Sequence, residues 1–477
     1  MSRKSTPERD ALIADLLGKM RRQLQEQLPQ EKATLDQIEE AAGKIARQIS
    51  QDIQRRLVAQ RGAKQPCVLN PECACGATLR YKGQQARSIV TVHGVLTYKR
   101  ACYHCAACQH MLAPLDQDLG LDSGSTSTQV RLWVALLAGQ LPFAQAATTL
   151  QILTQVALWP ASVERLSVAV GTALRKHQQQ QAQQHQAGTL PEPTGPLLPV
   201  PRRLYIGLDG VFVPLRDAWK KDKSQGALTC RYGECKSGVV YETHQDQHGK
   251  DSRVRTRAYV ATLGNVDTFA PVLGALAHQH GHHAAKEVVV IGDGAAWIWQ
   301  LAAKQFHGAV QIVDFFHAAQ HLATLAEARF GKDRHQSQQW LSARHEELKT
   351  GRLHQVLCEI RAWRPTSPSK RQLRLSTYAY FCNNAQRMRY QTFLEKGYHI
   401  GSGVVEATCK QVVAQRLDQV GMHWRPESAE AIVALRAAQL STCPPDLRPP
   451  KAALCSACSA RVKRPEFETH PANRVVA

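Results

Sequence analysis

Hydrophobic positions recur at helical spacing through the first part of the chain and give way to strand-like runs further on. Leu12, Leu16, Met20 and Leu24 follow one another every four residues, with Arg and Gln between them. This spacing is typical of an amphipathic helix. We therefore expect an N-terminal helical region over residues 1–62 that is charged on its outer face.

A cysteine-rich module follows over residues 63–118. It contains the pair Cys73 and Cys75 and the pair Cys105 and Cys108, with a predicted β-hairpin between them. Two cysteine pairs separated by a hairpin are typical of a zinc ribbon, in which four thiolates close a tetrahedral site. The sequence therefore predicts a zinc-ribbon-like module with a structural Zn²⁺; reduced cysteines without metal are the alternative.

The cysteines are expected to be thiols or metal ligands, because the chain of 477 residues with 14 cysteines shows no secretory or membrane signal. The C-x-C spacing of the first pair is tighter than in a standard ribbon. It leaves room for Cys67 or Cys102 to replace one of the four ligands. The later pair Cys455 and Cys458 lies in a Pro-rich tail that we expect to be largely disordered.

Residues 119–180 have an all-helical pattern with a break at Trp159-Pro160. Short helices on either side of such a break, the second ending in Arg175 and Lys176, are consistent with a helix-turn-helix that binds DNA. A plain helical hairpin remains the alternative. The Gln- and Pro-rich stretch 181–200 is predicted to be a linker.

From residue 201 onward the pattern is that of an α/β domain. A long apolar strand at 204–213 carries one acid, Asp209, and the stretches 228–234 and 239–242 are predicted to be the two arms of a hairpin. A third strand at 258–263 is followed by alternating helices and strands. A β-meander followed by alternating helix and strand predicts an RNase H-like fold.

Two more acids follow apolar strands, and a third, Glu406, lies in the first turn of a late helix. Asp293 comes after the strand 287–292, and Asp314 comes after the strand 310–313. Ser402 is a good N-cap for a helix that we expect over 404–420.

This helix has a mostly apolar stripe that is predicted to face a core. Val405, Cys409, Val412 and Arg416 form the stripe, and Glu406 lies at its border. A surface carboxylate favoured by the helix dipole is the plain interpretation of Glu406.

The predicted organisation is a multidomain α/β protein in which helical and ribbon modules precede an RNase H-like core with a helical insertion. The predicted divisions are an N-terminal helical region (1–62), a zinc-ribbon-like module (63–118), a helix-turn-helix-like region (119–180), a linker (181–200), a first core part (201–321), a helical insertion (322–395), a C-terminal core helix (396–442) and a basic Pro-rich tail (443–477).

The charge balance narrows the class of partner. Lys and Arg number 60 against 39 Asp and Glu, which gives a formal net charge of +21. So basic a soluble chain favours a polyanionic partner, most simply nucleic acid. The polar N-terminus and the absence of a spanning apolar run lead us to expect a cytoplasmic protein.

Asp209, Asp293 and Glu406 form the candidate catalytic set. In an RNase H-like sheet the strands and helix that carry them converge at one edge. Carboxylate oxygens are the ligands that Mg²⁺ prefers, and a pair of such ions activates an attacking oxygen and stabilises a leaving oxygen at phosphorus. Asp293 as a simple helix N-cap is the alternative for that residue. Asp209 is harder to explain structurally, because an unpaired buried carboxylate is costly.

As an ordered set, these motifs resemble the DDE transposases of bacterial insertion sequences, most nearly the ISKra type, which is related to Mutator-like elements. The resemblance runs from Asp209-Gly210-Val211 through Ile291 to Ala295 and Val313 to His317, and then to Gly401 through Glu406. It continues in the stretches 421–424 and 435–436 and covers most of the chain.

The resemblance implies metal-dependent DNA strand cleavage and strand transfer by Asp209, Asp293 and Glu406, with two Mg²⁺ or Mn²⁺ ions per active site. It implies a supporting role near the DNA for Asp314 and His317. The partners would be the terminal inverted repeats of the element, target DNA and further copies of the chain in a homodimer or larger oligomer. The residues expected to contact DNA are Arg165, Arg175, Lys176, Lys370, Arg371, Arg374 and Lys410.

Two other classes remain open. Asp314, His317 and His321 share one helical face, as in a zinc hydrolase, and a histidine-rich loop lies earlier in the chain at 278–283. That class leaves the basic charge and the three acids unexplained. A catalytically silent DNA-binding protein derived from a transposase is the other class.

Overall fold

The computed structural model describes most of the chain in nine segments. These are residues 7–27, 32–63, 71–121, 124–192, 203–216, 230–245, 250–331, 333–401 and 403–442. Cys67, Ser402, most of the predicted linker and the tail with Cys455 and Cys458 lie outside the described residues. The described chain forms two compact units, the first with residues up to Val134 and Ala147–Leu158, the second with Ala135–Ala146 and the residues from Trp159 onward.

The first unit contains two long helices and a small antiparallel sheet. The helices are α1 (Pro7–Gln27) and α2 (Leu35–Ala63), and the sheet has the order β1 (Arg80–Thr91), β2 (Gly94–His104), β3 (Met111–Leu112). The turn between β1 and β2 requires Gly94, whose φ is 113°. A short helix, α3 (Pro114–Asp118), brings Asp116 onto Arg87 and Arg100. The predicted N-terminal helices and the hairpin are confirmed.

Three helices follow: α4 (Thr128–Gln140), α5 (Phe143–Thr154) and α6 (Pro160–Gln186). Pro160 occupies the first turn of α6, where its missing N–H costs nothing. The break at Trp159-Pro160 is therefore confirmed. The predicted start of the linker is wrong, because the Gln-rich stretch continues α6 as far as Gln186. Gln is a good helix former, and the next Gly is Gly188.

The second unit is built on a five-stranded sheet. Its strands are β4 (Arg203–Arg216), β5 (Cys230–Gln245), β6 (Asp251–Leu263), β7 (Glu287–Gly292) and β8 (Val310–Val313), in the order β6-β5-β4-β7-β8. The strands β4, β5 and β6 are antiparallel neighbours, whereas β4, β7 and β8 run parallel. The meander followed by alternating helix and strand is thus observed.

The hairpin predicted within 228–242 is wrong, because its described part belongs to the single strand β5. Lys236, at the expected turn, pairs with Gly210 of β4 on one side and with Thr262 of β6 on the other. Pairing with β4 over the whole stretch, and with β6 from Cys235 onward, keeps Gly233 to Gly238 extended despite the turn-forming residues there.

The next helices either connect the strands of this sheet or form the insertion. They are α7 (Val266–Gln279), α8 (Ala296–Gln305), α9 (Phe315–Phe330), α10 (Arg334–Lys349), α11 (Leu353–Ala362), α12 (Pro368–Asn383) and α13 (Tyr390–Glu395). The helix that leads into the insertion, α9, starts at Phe315. Asp314 is its N-cap and accepts a hydrogen bond from the Phe316 N–H.

The last elements are α14 (Gly403–Thr408), a π-helical turn at Cys409–Ala414, α15 (Gln415–Leu417) and α16 (Pro426–Leu440). The predicted stripe is buried: Val405, Cys409, Val412 and Arg416 are 3%, 9%, 0% and 1% exposed. The helix ends at Leu417, three residues before the predicted end. The π-helical turn was not predicted. The buried guanidinium of Arg436 donates to the Gln411 and Val412 carbonyls within it.

Among the described residues, no helix combines the length and the apolar character needed to cross a membrane.

Candidate functional site

Three acids lie at one level across the three parallel strands. Leu208 of β4 is opposite Gly292 of β7, which is opposite Val313 of β8. Each of these residues is followed by an aspartate, namely Asp209, Asp293 and Asp314. Neighbouring strands are about 4.8 Å apart and side chains alternate between faces, so the three carboxylates emerge on the same side of one sheet edge. We call Asp209, Asp293 and Asp314 the acidic edge.

Asp209 is the most constrained member of the acidic edge. One carboxylate oxygen accepts a hydrogen bond from the Gly210 N–H at 2.7 Å. The Cys409 thiol also donates to this carboxylate, and its Sγ lies 2.9 Å from Ser237 Oγ. Burial raises the pKa of the Asp209 carboxyl above its ordinary value, and the negative charge of Asp293 raises it further. The fold thus holds two like charges side by side in a partly buried place.

Asp293 is fixed at the end of β7 by contacts on both sides. Its Oδ1 accepts from the Ala295 N–H at 2.8 Å, while its backbone carbonyl accepts from Tyr380 Oη at 2.8 Å. Gly294 has a φ of 101°, and a Cβ there would lie 2.7 Å from the Tyr380 ring. The N-cap alternative for Asp293 is wrong, because Ala295 is the N-cap of α8.

Asp314 and His317 form a pair beside the two aspartates. The Asp314 side chain is buried, and its Oδ2 lies 3.9 Å from His317 Nδ1. The Asp314 carboxylate raises the pKa of His317 above its ordinary value, and the charges of Asp293 and Asp209 add to the rise. These charges favour an imidazolium at this position, which can donate a hydrogen bond to a bound anion.

Glu406 lies on the helix that covers β4, but it is exposed. Val405 packs against Gly207 so closely that any side chain on Gly207 would collide with it. One turn later, Cys409 reaches Asp209. Val405 and Cys409 therefore hold the helix of Glu406 against β4. No described contact fixes the Glu406 carboxylate itself at the acidic edge.

The acidic edge has the oxygen donors that suit Mg²⁺. Burial is the main cause of the raised pKa of Asp209, and the charge of Asp293 adds to it. A divalent cation would offset both by stabilising the ionised carboxylate. The three predicted catalytic acids do not form a closed cage, however. Among the described residues, only two groups of His, Cys, Asp or Glu side chains have all their ligand atoms within 4.8 Å of one another, and neither group includes these acids.

One of these two groups is the predicted cysteine set, Cys73, Cys75, Cys105 and Cys108. The Cys73 and Cys108 sulfurs are 3.4 Å apart, and those of Cys75 and Cys105 are 3.5 Å apart. Sulfurs around a tetrahedral zinc with Zn–S bonds of about 2.3 Å are about 3.8 Å apart, so the cluster fits that ion.

Cys102, the alternative ligand that the structure describes, is not part of this set. Cys102 is buried elsewhere in β2, with its Sγ 3.8 Å from the Arg100 carbonyl. The compressed first pair closes the set because a tight turn at Gly76, with a φ of 85°, folds the chain back on Cys73.

The basic residues expected to contact DNA differ in accessibility. Arg165 and Lys176 are exposed on α6, as are Lys370 and Arg371 on α12 and Lys410 on the π-helical turn. Arg175 is half-buried and forms an ion pair with Glu430. Arg374 is also half-buried, and its Nη1 donates to the Arg361 carbonyl at 3.3 Å. These two arginines are already engaged within the second unit.

The zinc hydrolase set is not assembled in the described structure. Asp314, His317 and His321 are in neither of the two clustered groups. The His321 ring instead stacks on Tyr380, with ring centroids 3.9 Å apart. Burial lowers the pKa of His321, in contrast to that of His317.

Sequence reasoning missed Tyr380 and Cys409 as neighbours of the acids. Cys409 was placed correctly on the buried stripe, but nothing in the periodicity shows that its thiol reaches Asp209. Tyr380 lies in a helical insertion without any motif. Its contact with Asp293 depends on how α12 packs against the sheet edge. The one local signal is Gly294, because a side chain at that position would collide with the Tyr380 ring.

Comparisons with known proteins place the sequence in a family without an assigned activity. A model described as an uncharacterised protein family, UPF0236, matches residues 76–444. A curated relative, the UPF0236 protein in vanSb 3'region of Streptococcus gallolyticus, is 22% identical over 358 residues, which cover 74% of this chain and 73% of the relative.

The solved structures with partial similarity to this chain include the Drosophila P element transposase strand transfer complex. The match covers 68% of this chain and 81% of that chain at 11% identity, with a TM-score of 0.23. At that TM-score the likeness carries no argument about this chain.

Proposed function

We propose that this chain, which belongs to the uncharacterised protein family UPF0236, is a DNA transposase that cleaves and joins DNA strands at the acidic edge. One observation carries the proposal. Asp209, on β4, and Asp293, directly after the parallel strand β7, stand side by side, and burial together with the negative charge of Asp293 raises the pKa of Asp209. Perturbed carboxylates of this kind are more common at functional sites than elsewhere.

The sheet supports an RNase H-like core. An antiparallel meander of three strands is extended on the β4 side by two parallel strands, which is the arrangement expected from the sequence. In such a sheet the acids on β4 and after β7 belong to one site, and the helix α14 crosses the same strand. The motifs that resemble DDE transposases fall on these three elements.

The roles follow from the positions. We assign Asp209 and Asp293 to metal binding, with Glu406 as the third acid and the pair Asp314 and His317 as support. Bound Mg²⁺ or Mn²⁺ would activate an attacking water or 3′-hydroxyl and stabilise the leaving oxygen. The His317 imidazolium would donate to a phosphate oxygen, and Cys409 and Tyr380 would hold the two aspartates in place.

The partner is proposed to be double-stranded DNA, bound by a homodimer or larger assembly. A formal net charge of +21 suits a polyanion. Helix α12 links basic surface to the acids, because Lys370 and Arg371 lie near its start and Tyr380, which contacts Asp293, lies two to three turns later. Ten residues of helix span about 15 Å, so this helix can guide a backbone toward the acidic edge.

A strand-cleavage assay on DNA that flanks the reading frame tests the proposal. With Mg²⁺ or Mn²⁺, the wild-type protein should cut at the ends of the element, and Asp209→Asn or Asp293→Asn should lower cleavage by at least about a hundredfold while DNA binding persists. An exposed acid away from the site, Asp418, provides the matched control as Asp418→Asn. Full cleavage with EDTA present, or wild-type cleavage by either aspartate variant, would reject the proposed chemistry.

The third acid is decided in the same assay. Glu406→Gln should abolish cleavage, whereas Asp314→Asn should lower it only in part. The reverse order would place Asp314 in the triad and leave Glu406 as a surface residue of α14. Specific binding of the ends without cleavage by the wild type would instead favour the silent DNA-binding class.

A further inference from the structure

Three histidines from separate parts of the second unit meet away from the acidic edge. His185 lies in the last turn of α6, His278 in the last turn of α7, and His283 in the turn that follows α7. One ring nitrogen from each lies within 4.8 Å of those of the other two. We call His185, His278 and His283 the histidine cluster. It shares no residue with the acidic edge or with the cysteine set.

His278 is buried without a hydrogen-bond partner for its side chain. It is 8% exposed, and neither Nδ1 nor Nε2 has a hydrogen bond. A buried polar ring left in this state is costly, and most such groups in folded proteins are paired. The nearest described carboxylate is Glu192, whose Oε1 lies 3.9 Å from His278 Nε2, which is too far for a hydrogen bond.

Ring packing alone does not account for the arrangement. The His278 ring meets those of His185 and His283 edge-on, with centroids 5.3 Å and 5.1 Å apart. Such packing satisfies the carbon edges of the rings but leaves the nitrogens unbonded.

A glycine in α7 leaves space for the His185 ring to approach that helix. A Cβ on Gly274 of α7 would lie 3.2 Å from His185 Cε1, so the absence of a side chain lets the His185 ring approach α7. The helices α6 and α7 are thereby held close at their C-terminal ends. An ion among the three rings would fix the C-terminal end of α6 against that of α7. Helix α6 is also the one that carries the exposed residues Arg165 and Lys176.

We propose that the histidine cluster is a second metal site that binds Zn²⁺ through His185, His278 and His283. Imidazole nitrogens are the ligands that this borderline ion takes in proteins, and a set of three leaves one position open. Glu192 or a water supplies the fourth ligand. The ion has a structural role, in which it fastens the end of α6 to the end of α7.

Zinc content of the full-length protein tests the proposal. After dialysis against trace Zn²⁺, the wild type should carry about two ions per chain, one at the cysteines and one at the histidines. His283→Gln and His185→Gln should each carry about one, with affinity at the cluster lowered at least tenfold. His307→Gln, which changes an exposed histidine before β8, is the matched control and should carry two.

Cobalt separates the two sites. Replacement of zinc by Co²⁺ gives a thiolate-to-metal charge-transfer band from the cysteines, which His283→Gln should leave unchanged while it removes one equivalent of bound cobalt. Circular dichroism should show that the variant remains folded. Equal zinc content in the wild type, His185→Gln and His283→Gln would overturn the proposal, as would filling of the cluster only at millimolar Zn²⁺.

Discussion

Asp209 directly follows the buried residues 204–208 of β4 and is itself partly buried, whereas Phe212 further along the strand is exposed. Its carboxylate has only the Gly210 N–H and the Cys409 thiol as described donors. Asp293 lies beside it and opposes its ionisation. At the scale of single residues, the ionised Asp209 side chain therefore lowers the free energy of unfolding of the protein that contains it. Retaining such a group is expected where the charge is used, because natural proteins carry strain of this kind mainly at functional sites.

Neutralising Asp209 should therefore stabilise the metal-free protein. Asp209→Asn keeps an oxygen for the Gly210 N–H and removes the like-charge repulsion with Asp293, so we expect the free energy of unfolding at pH 7 to rise by roughly 0.5–2 kcal/mol. Because the folded-state pKa of Asp209 is raised, the wild type loses stability as pH rises from the unfolded pKa through the folded one. The gain should disappear below that window.

Denaturant titrations in EDTA at neutral and acid pH measure the effect. EDTA matters because a bound cation would stabilise the ionised carboxylate. Asp418→Asn, on an exposed acid, should change the free energy of unfolding by less than about 0.5 kcal/mol at either pH. A destabilised Asp209→Asn at neutral pH would mean that the hydrogen bonds of the carboxylate outweigh its repulsion, and the electrostatic account of the acidic edge would be wrong.

At the scale of elements, the small sheet of the first unit depends on its cysteines. The cluster of Cys73, Leu79, Tyr103, Cys105 and Leu112 has few apolar neighbours. Modules this small usually need a metal or disulfides to stay folded. If the four sulfurs hold zinc, Cys105→Ser should lose about one ion per chain and expose the hairpin to proteolysis.

The matched control is Cys102→Ser, which changes a buried cysteine of the same strand outside the sulfur cluster. It should retain the zinc bound by the wild type even if it is somewhat less stable. If both variants carried the same amount of zinc, the four cysteines would not be the zinc site and would be explained as reduced thiols.

The sequence was most informative where a single period governs burial. The stripe on the late helix, the strand before each acid and the Pro160 break all follow from spacing or backbone chemistry, and the structure has them. The proximity of Asp209 and Asp293 is also implied, because Asp293 follows a strand that an RNase H-like sheet places beside the strand of Asp209.

The sequence failed where contacts between distant segments decide the conformation. Strand β5 passes through Gly233 and Gly238 because β4 pairs with it along this stretch and β6 pairs with it from Cys235 onward. The π-helical turn at Cys409–Ala414 exists where Arg436, from a later helix, donates to its carbonyls. The histidine cluster joins residues almost a hundred positions apart. No local pattern contains any of these pairings.

At the scale of the whole molecule, the acids and the excess positive charge have to be separated. Carboxylates repel phosphate, so the binding energy for DNA must come from basic side chains elsewhere. The exposed ones divide into those on α6, Arg165 and Lys176, and those on α12, Lys370 and Arg371. We expect α6 to belong to the part that selects the DNA sequence, and α12 to hold backbone near the acidic edge.

Two full-length double variants distinguish these tasks, and the full chain is required because α6 extends past residue 180. Lys370→Gln with Arg371→Gln should weaken binding to inverted-repeat and scrambled DNA equally and reduce the salt slope by about two, since each phosphate contact contributes about one. Arg165→Gln with Lys176→Gln should instead lower the ratio of the two affinities. Gel-shift titrations at two salt concentrations measure both quantities. If the α12 variant alone lost discrimination, sequence choice would lie beside the acidic edge, and the division of labour between the helices would be reversed.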